Sequence, residues 1–239
     1  MPRFAEPEPR NGDDLVVESD RNHTYKYRRN YLIVCEGYSD ARFIAHLLYS
    51  KGIFGFDVHH PLKPHGQGTS GFTKYLQAAS LMSSFAPVIG IVFITDNDYD
   101  HSAAFRRVQD TLRENGFLVP ERPFETKSED GKRKVGIVTL PNGTTNGRIE
   151  DVLLEAAFEA DPEIKDCISS FAKCAGTPQS WRPNQKSKMA IHALIAVKHS
   201  HDPAASLAYV WGKSSNPIPI ASEKFNFLTE YLEGFLRDH

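Results

Sequence analysis

The fold is decided by one stretch of sequence, VIGIVFITDNDYD, which runs from Val88 to Asp100. Its β-branched and aromatic residues follow one another without polar alternation, which is typical of a strand buried on both faces. The stretch ends in carboxylates at alternate positions, Asp96, Asp98 and Asp100. Ligands of an open α/β sheet gather beyond the carboxyl ends of its strands, and hard divalent cations prefer oxygen ligands. The stretch therefore predicts a Mg²⁺ or Mn²⁺ site at the edge of a parallel sheet.

The segments around this strand predict further strands and helices in alternation. The predicted strands are 31–35, 56–59 and 135–140, and the predicted helices are 39–51, 72–84, 102–115, 147–160, 186–198 and 223–236. Strands that alternate with helices and are followed by helices alone indicate an α/β fold. We expect a mostly parallel sheet flanked by helices, with a helical C-terminal extension over about 160–239. Residues 1–29 are predicted to form a polar N-terminal tail, and residues 30–239 one domain.

Bulk composition limits the classes of function. The net charge of −2 gives no overall attraction to nucleic acid, so such contact would need a local basic patch. The three cysteines form no disulfide or zinc pattern, which favours a reducing, cytoplasmic location. No stretch approaches about 20 apolar residues, so no membrane span is expected. The oligomeric state cannot be predicted.

A second acidic group follows the first predicted strand. Glu36 comes directly after Tyr31–Cys35, and if the strands are parallel neighbours it converges on the same edge as Asp96 and Asp98. Such a cluster could hold one or two hard cations, and a spare carboxylate could act as a general base. The alternative is that Asp96 and Asp98 only cap the following turn and helix. With Glu36 in the same context, metal binding is the preferred interpretation.

These motifs carry a family resemblance. Glu36-Gly37-Tyr38-Ser39-Asp40 after one strand, with Asp96-x-Asp98 after a later one, resembles the toprim domain of topoisomerases, bacterial primases and small nucleases. The resemblance extends to the overcoming-lysogenisation-defect nucleases. It implies a toprim-type sheet and a site that uses Mg²⁺ or Mn²⁺ for phosphoryl transfer or nucleic-acid cleavage. It also implies that Glu36 is an acid/base or metal-bound residue, that Asp96 and Asp98 are chelators, and that Asp40 is a further acid of the first motif.

The chain is also similar to small standalone toprim-like proteins of unassigned function. That likeness rests on Gly147-x-x-Glu150-Asp151 at a helix start, on Lys186-Ser187-Lys188, and on a C-terminal helix rich in Phe and Leu. It implies that Glu150 extends the metal site, although an acid in the first helical turn also suits the helix dipole. Lys186 or Lys188 could contact a phosphate, but a solvated helix face explains either lysine as well.

Other motifs fit less well. Gly66-x-Gly68-x-x-Gly71 matches a dinucleotide fingerprint literally, but it follows the second strand and lacks an acid at the expected distance. The Asp96 segment also resembles the nucleophile motif of haloacid-dehalogenase-like phosphatases, which usually lies near the N-terminus. The sequence thus predicts a divalent-metal-dependent nuclease acting on DNA or RNA. The alternatives are a non-catalytic toprim-like module that binds a metal, a nucleotide or a partner protein, and a phosphatase of the haloacid-dehalogenase type.

Overall fold

The computed structural model describes residues 9–16, 25–62, 69–142, 145–211 and 216–237. Within them the chain forms an α/β fold whose five-stranded sheet is flanked by seven α-helices. The strands are β1 (Tyr31–Cys35), β2 (Phe56–His59), β3 (Gly90–Asp96), β4 (Thr126–Lys127) and β5 (Lys134–Leu140). The helices are α1 (Tyr38–Ser50), α2 (Thr69–Ser80), α3 (His101–Glu114), α4 (Ile149–Ala160), α5 (Pro162–Cys174), α6 (Pro183–Lys198) and α7 (Asn226–Arg237).

The sheet is mostly parallel, and its strand order is β2-β1-β3-β5-β4. Only the short strand β4 runs antiparallel to its neighbour, β5. The predicted central strand therefore lies at the centre of the sheet, between β1 and β5. The register places Cys35 opposite Ile94 and Asp96 opposite Leu140, so β1, β3 and β5 end at the same edge. We call this the carboxyl edge.

Alternating side chains bury both faces of the sheet. In β1, Ile33 and Cys35 belong to one hydrophobic core, while Leu32 and Val34 belong to the other. The first core packs against α1, α4, α6 and α7, and the second against α2 and α3. This burial on both faces explains why the strands read as continuous apolar runs.

Most predicted elements are confirmed, with shifts at their ends. The bounds of β1 and β2 agree with the prediction, but β3 begins at Gly90, because Val88 still belongs to the preceding turn and Ile89 is exposed. Helix α2 ends at Ser80 because residues 83–85 form a separate 3-10 turn. The sequence did not separate α5 from its neighbours; Asp161 caps it and Pro162 begins it.

The C-terminal helix packs on the sheet as predicted. Phe235 of α7 is buried and makes aromatic contacts with Tyr31 of β1 and Phe56 of β2. The end of the chain thus covers one face of the sheet near its amino edge. Among the described helices, none combines the length and the apolar character that crossing a membrane requires.

Parts of the predicted tail pack against the domain. Gly12–Leu15 forms a 3-10 turn whose Leu15 is buried in the core beside α1. Arg28 and Arg29 both form ion pairs with the buried carboxylate of Asp57. These two arginines therefore hold the chain to β2. Gly66 and Gly68 of the glycine-rich motif lie outside the described residues, and Gly71 lies in α2.

Candidate metal site

The carboxyl edge collects the acids that the sequence predicted. Glu36 follows β1 directly and Asp96 is the last residue of β3, so the two lie on neighbouring strands. Asp40 lies in the first turn of α1, and Glu150 in the first turn of α4. The short strand-to-helix connections after β1 and before α4 thus bring acids from four parts of the chain to one edge.

Hydrogen bonds fix three of these acids. The Thr95 hydroxyl donates to Glu36 Oε1. The backbone N–H of Ile149, at the start of α4, donates to Asp96 Oδ1 at 3.0 Å. The N–H of Gly37 donates to Asp40 Oδ2 at 3.1 Å, so Asp40 caps its own helix. Each acid is therefore oriented by the elements that meet at this edge.

Burial and mutual repulsion raise the pKa values of three of these acids. Burial, followed by the charges of Glu150 and Glu36, raises the pKa of Asp40 to about 7. Burial and the charges of Asp40, Glu36 and Glu150 raise the pKa of Asp96 well above its usual range. Burial also raises the pKa of Glu36, although the Thr95 hydrogen bond opposes the rise. Four carboxylates thus share one poorly solvated space.

Asp98 is held differently from the other acids. Its Oδ1 forms an ion pair with Arg148 at 2.5 Å, and its backbone exchanges two hydrogen bonds with Gly147. Asp98 has a positive φ of 50°, which turns the chain away from the strand direction. Its charge still contributes to the raised pKa of Glu36, so it remains near the cluster. The predicted chelator is therefore already neutralised by an arginine.

The donor set fits a hard divalent cation. Mg²⁺ and Mn²⁺ prefer carboxylate oxygens, and the edge provides several. One of them, Glu150 Oε2, is buried without a hydrogen-bond partner in the described structure. Across the described ranges, however, no three His, Cys, Asp or Glu side chains already surround a common ligand position. A bound cation would have to draw these carboxylates together.

The other predicted residues lie in different places. Lys188 lies close enough for its charge to lower the pKa of Asp40. Lys186 is exposed and lines a cavity of about 460 Å³ between α4, α5 and α6. Asp100, the third carboxylate of the decisive stretch, caps α3 by accepting a hydrogen bond from the N–H of Ala103.

Sequence reasoning missed three groups that shape the site. Thr95 orients Glu36, and Arg148 neutralises Asp98. Asn97, which lies between the two predicted chelators, donates its side-chain N–H to the carbonyl of Thr145 and so ties the loop before α4 to β3. Arg148 had a signal in the sequence, because it is a cation inside the motif that supplies Glu150. Thr95 had none beyond its place before Asp96.

Comparison with known proteins identifies a family. The family model described as "Protein of unknown function (DUF3226)" matches residues 30–233. The chain therefore belongs to this family. A search of curated proteins and a search of solved structures each found no match.

Proposed function

We propose that this member of the DUF3226 family is a divalent-metal-dependent phosphoryl-transfer enzyme of toprim type that cleaves nucleic acid. One observation carries the proposal: Glu36, Asp40, Asp96 and Glu150 are crowded at the carboxyl edge, and the pKa values of the first three are raised. Uncompensated acids in a poorly solvated space are costly, and a cation is the usual means of neutralising them.

Each residue of the candidate site would have a separate role in cleavage. Glu36, Asp96 and Glu150 would hold the cation, with Asp40 next to them. When bound, Mg²⁺ or Mn²⁺ supplies charge neutralisation at a phosphodiester and at its leaving oxygen. Glu36 would act as a ligand of the cation or, where it does not contact the cation, as the proton acceptor for a water or hydroxyl. Lys188 would neutralise charge on the substrate.

Two helix N-termini partly offset the repulsion among these acids. Helix α1 starts two residues after Glu36, and α4 starts next to Glu150. Backbone N–H groups and the helix dipole favour negative charge at these ends. Here they stabilise Asp40 and Asp96, which supports the ionised state that metal binding requires.

The test is cleavage of single- and double-stranded DNA and RNA in the presence of Mg²⁺ or Mn²⁺. We expect cleavage that EDTA abolishes and that Glu36→Gln and Asp96→Asn each reduce at least about a hundredfold, the scale expected for losing a group that acts in the transition state. Asp100→Asn is the matched control, because Asp100 is an exposed helix cap outside the cluster. Activity that survives both site substitutions would contradict this assignment.

A second function is supported by the ion pair between Arg148 and Asp98. An acid already paired with an arginine is a poor chelator. A non-catalytic toprim-like module that binds a metal, a nucleotide or a partner protein would not need Asp98 as a metal ligand. Calorimetric titration with Mn²⁺, together with the cleavage assay, separates the two functions. Metal binding without cleavage of any nucleic acid would support the module. Turnover of a small phosphate ester with phosphorylation of Asp96 would instead indicate the phosphatase.

A further inference from the structure

Two aromatic clusters include residues that follow the strand ends of the carboxyl edge. Tyr99 follows Asp98 directly, and Tyr38 lies two residues after Glu36. Each cluster pairs an exposed aromatic ring with an arginine.

The first cluster is Tyr99 with Arg182 and Asn184. The ring of Tyr99 is 45% exposed. Its hydroxyl donates a hydrogen bond to Asn184 Oδ1, and the Arg182 guanidinium lies 5.3 Å from the ring centroid. Both partners belong to the start of α6. The ring is thus held in a fixed position although much of its surface faces solvent.

The second cluster is Tyr38, Arg42 and Tyr209. The Arg42 guanidinium lies 5.8 Å from the Tyr38 centroid and 5.6 Å from the Tyr209 centroid. The two rings are 6.2 Å apart, and Tyr209 is 55% exposed. The ring of His60 packs edge-on to Tyr38 at 5.3 Å. The arginine thus lies at the edge of a pair of rings, one of them well exposed, and the three form a second amphipathic surface beside α1.

Solvated side chains alone do not explain this arrangement. Single exposed tyrosines are common, and Tyr49 at the far end of α1 is one. Tyr99 and Tyr209 differ from Tyr49, because each has a guanidinium near its ring. Tyr99 follows Asp98, and Tyr209 contacts Tyr38, which lies two residues after Glu36. Arg42 is itself largely buried and ion-paired with Asp13 at 2.9 Å, so it fixes the rings while Tyr209 supplies the exposed surface. Exposed rings that are held in place are the elements that stack nucleic-acid bases.

We propose that the substrate of this site is a single-stranded nucleic acid, with unpaired bases stacked on the exposed rings of Tyr99, beside Arg182, and of Tyr209, near Arg42. This inference rests on the proposed function, since it names the substrate class of the same site. Base pairing hides the faces of the bases inside a duplex, so stacking on a protein ring selects unpaired strands. The overall charge of −2 provides no general attraction to phosphates, so affinity for a single strand would depend on stacking and on local cations.

The experiment measures binding apart from cleavage. A fluorescein-labelled oligothymidylate of about 12 nucleotides and its fully paired duplex are titrated with the full chain in Ca²⁺, and anisotropy is followed. We expect the single strand to bind at least about tenfold more tightly than the duplex. Tyr99→Ala should weaken single-strand binding by about tenfold or more, the scale of losing one stacked base. Tyr99→Phe keeps the ring and should lose much less.

Two further tyrosine variants serve as a second test and as a control. Tyr209→Ala should weaken binding in the same direction, whereas Tyr49→Ala should leave it unchanged. Circular dichroism and urea unfolding check that each variant folds. Equal binding of duplex and single strand, or a Tyr99→Ala variant within about twofold of the wild type, would overturn the inference.

The binding and cleavage assays can contradict the binding proposal and the proposed function independently. Tyr99-dependent binding of single strands without cleavage in Mg²⁺ or Mn²⁺ would remove the catalytic proposal and keep the binding one. Metal-dependent cleavage that is unaffected by Tyr99→Ala and Tyr209→Ala would do the reverse.

Discussion

Removing the charge of Asp40 should stabilise the protein when no divalent cation is present. The pKa of this carboxyl is raised from 3.8 to about 7, first by burial and then by the charges of Glu150 and Glu36. An acid whose folded-state pKa lies above its unfolded value costs nothing below the unfolded pKa. Its cost grows as the pH rises and is complete above the folded pKa. The whole difference corresponds to about 4 kcal/mol.

The substitution Asp40→Asn tests this cost while keeping the local shape. Asparagine retains an oxygen that can accept the Gly37 N–H, so the cap of α1 is preserved. In EDTA at about pH 8, we expect its free energy of unfolding to exceed that of the wild type by about 2 to 4 kcal/mol. The lower value allows for relaxation of the neighbouring acids and for the solvent that reaches this half-buried residue.

Urea unfolding with and without Mg²⁺ provides the measurement. A cation at one hundred times its dissociation constant should stabilise the wild type by about 2.7 kcal/mol, and the variant by less. Asp100→Asn is the matched control, because it removes an exposed helix-capping carboxylate outside the cluster and should not stabilise the protein. If Asp40→Asn is less stable than the wild type in EDTA, repulsion among these acids is not the dominant energy at the edge.

Three further predictions follow from single contacts. Arg148→Gln removes the ion-pair partner that lies 2.5 Å from Asp98, so we expect the free energy of unfolding to fall by about 1–3 kcal/mol. Calorimetry should show about tenfold tighter Mn²⁺ binding, because Asp98 is then free to bind the cation. Unchanged affinity would show that Asp98 does not join the site. Gly147→Ala should lower the free energy of unfolding by about 1–3 kcal/mol in urea, because φ is 145° and the added Cβ would lie 2.7 Å from Asp151 Oδ2. Gly131→Ala is the control: its φ is also positive but the space is open, so its free energy of unfolding should fall less. Burial lowers the pKa of His59 to about 4, so this residue should remove up to about 3 kcal/mol of stability as the pH falls from about 6.5 to about 4, because only the unfolded state gains the proton there. The raised pKa of Asp40 acts in the opposite direction over the same range, so the measured quantity is the wild type minus His59→Gln. That difference in unfolding free energy should fall by up to about 3 kcal/mol between about pH 6.5 and about pH 4, and a constant difference would refute the assignment.

The sheet could be predicted from sequence because its signals are local. The apolar run before Asp96 and the strand before Glu36 each show burial on both faces without reference to the rest of the chain. Their convergence at one edge then follows from parallel pairing, which the register confirms. The acids of the candidate site can therefore be predicted from the sequence.

The contacts that modify those acids could not be predicted in the same way. The pairing of Arg148 with Asp98 depends on where the loop before α4 lies relative to β3, and that is a long-range property. The same holds for Leu15 and Val16, which belong to a three-residue apolar run in a polar segment and are buried beside α1 and β2. Local composition predicts a tail there, because one short contact with the core leaves no periodic pattern.

The simplest alternative to a ligand site is that these acids only cap helices, and the structure separates the two explanations. Capping accounts for Asp40 and Asp96, since each accepts a backbone N–H at a helix start. It does not account for Glu36, whose described hydrogen-bond donor is a side chain, or for Glu150, whose Oε2 is buried without a partner in the described structure. An unsatisfied buried oxygen costs about 1–3 kcal/mol, and an amide or apolar residue would avoid the added repulsion. The helix dipole favours an acid at Glu150 but leaves its buried Oε2 unsatisfied, and helix capping gives no reason for Glu36. A cation that binds between these two acids and Asp96 would account for both.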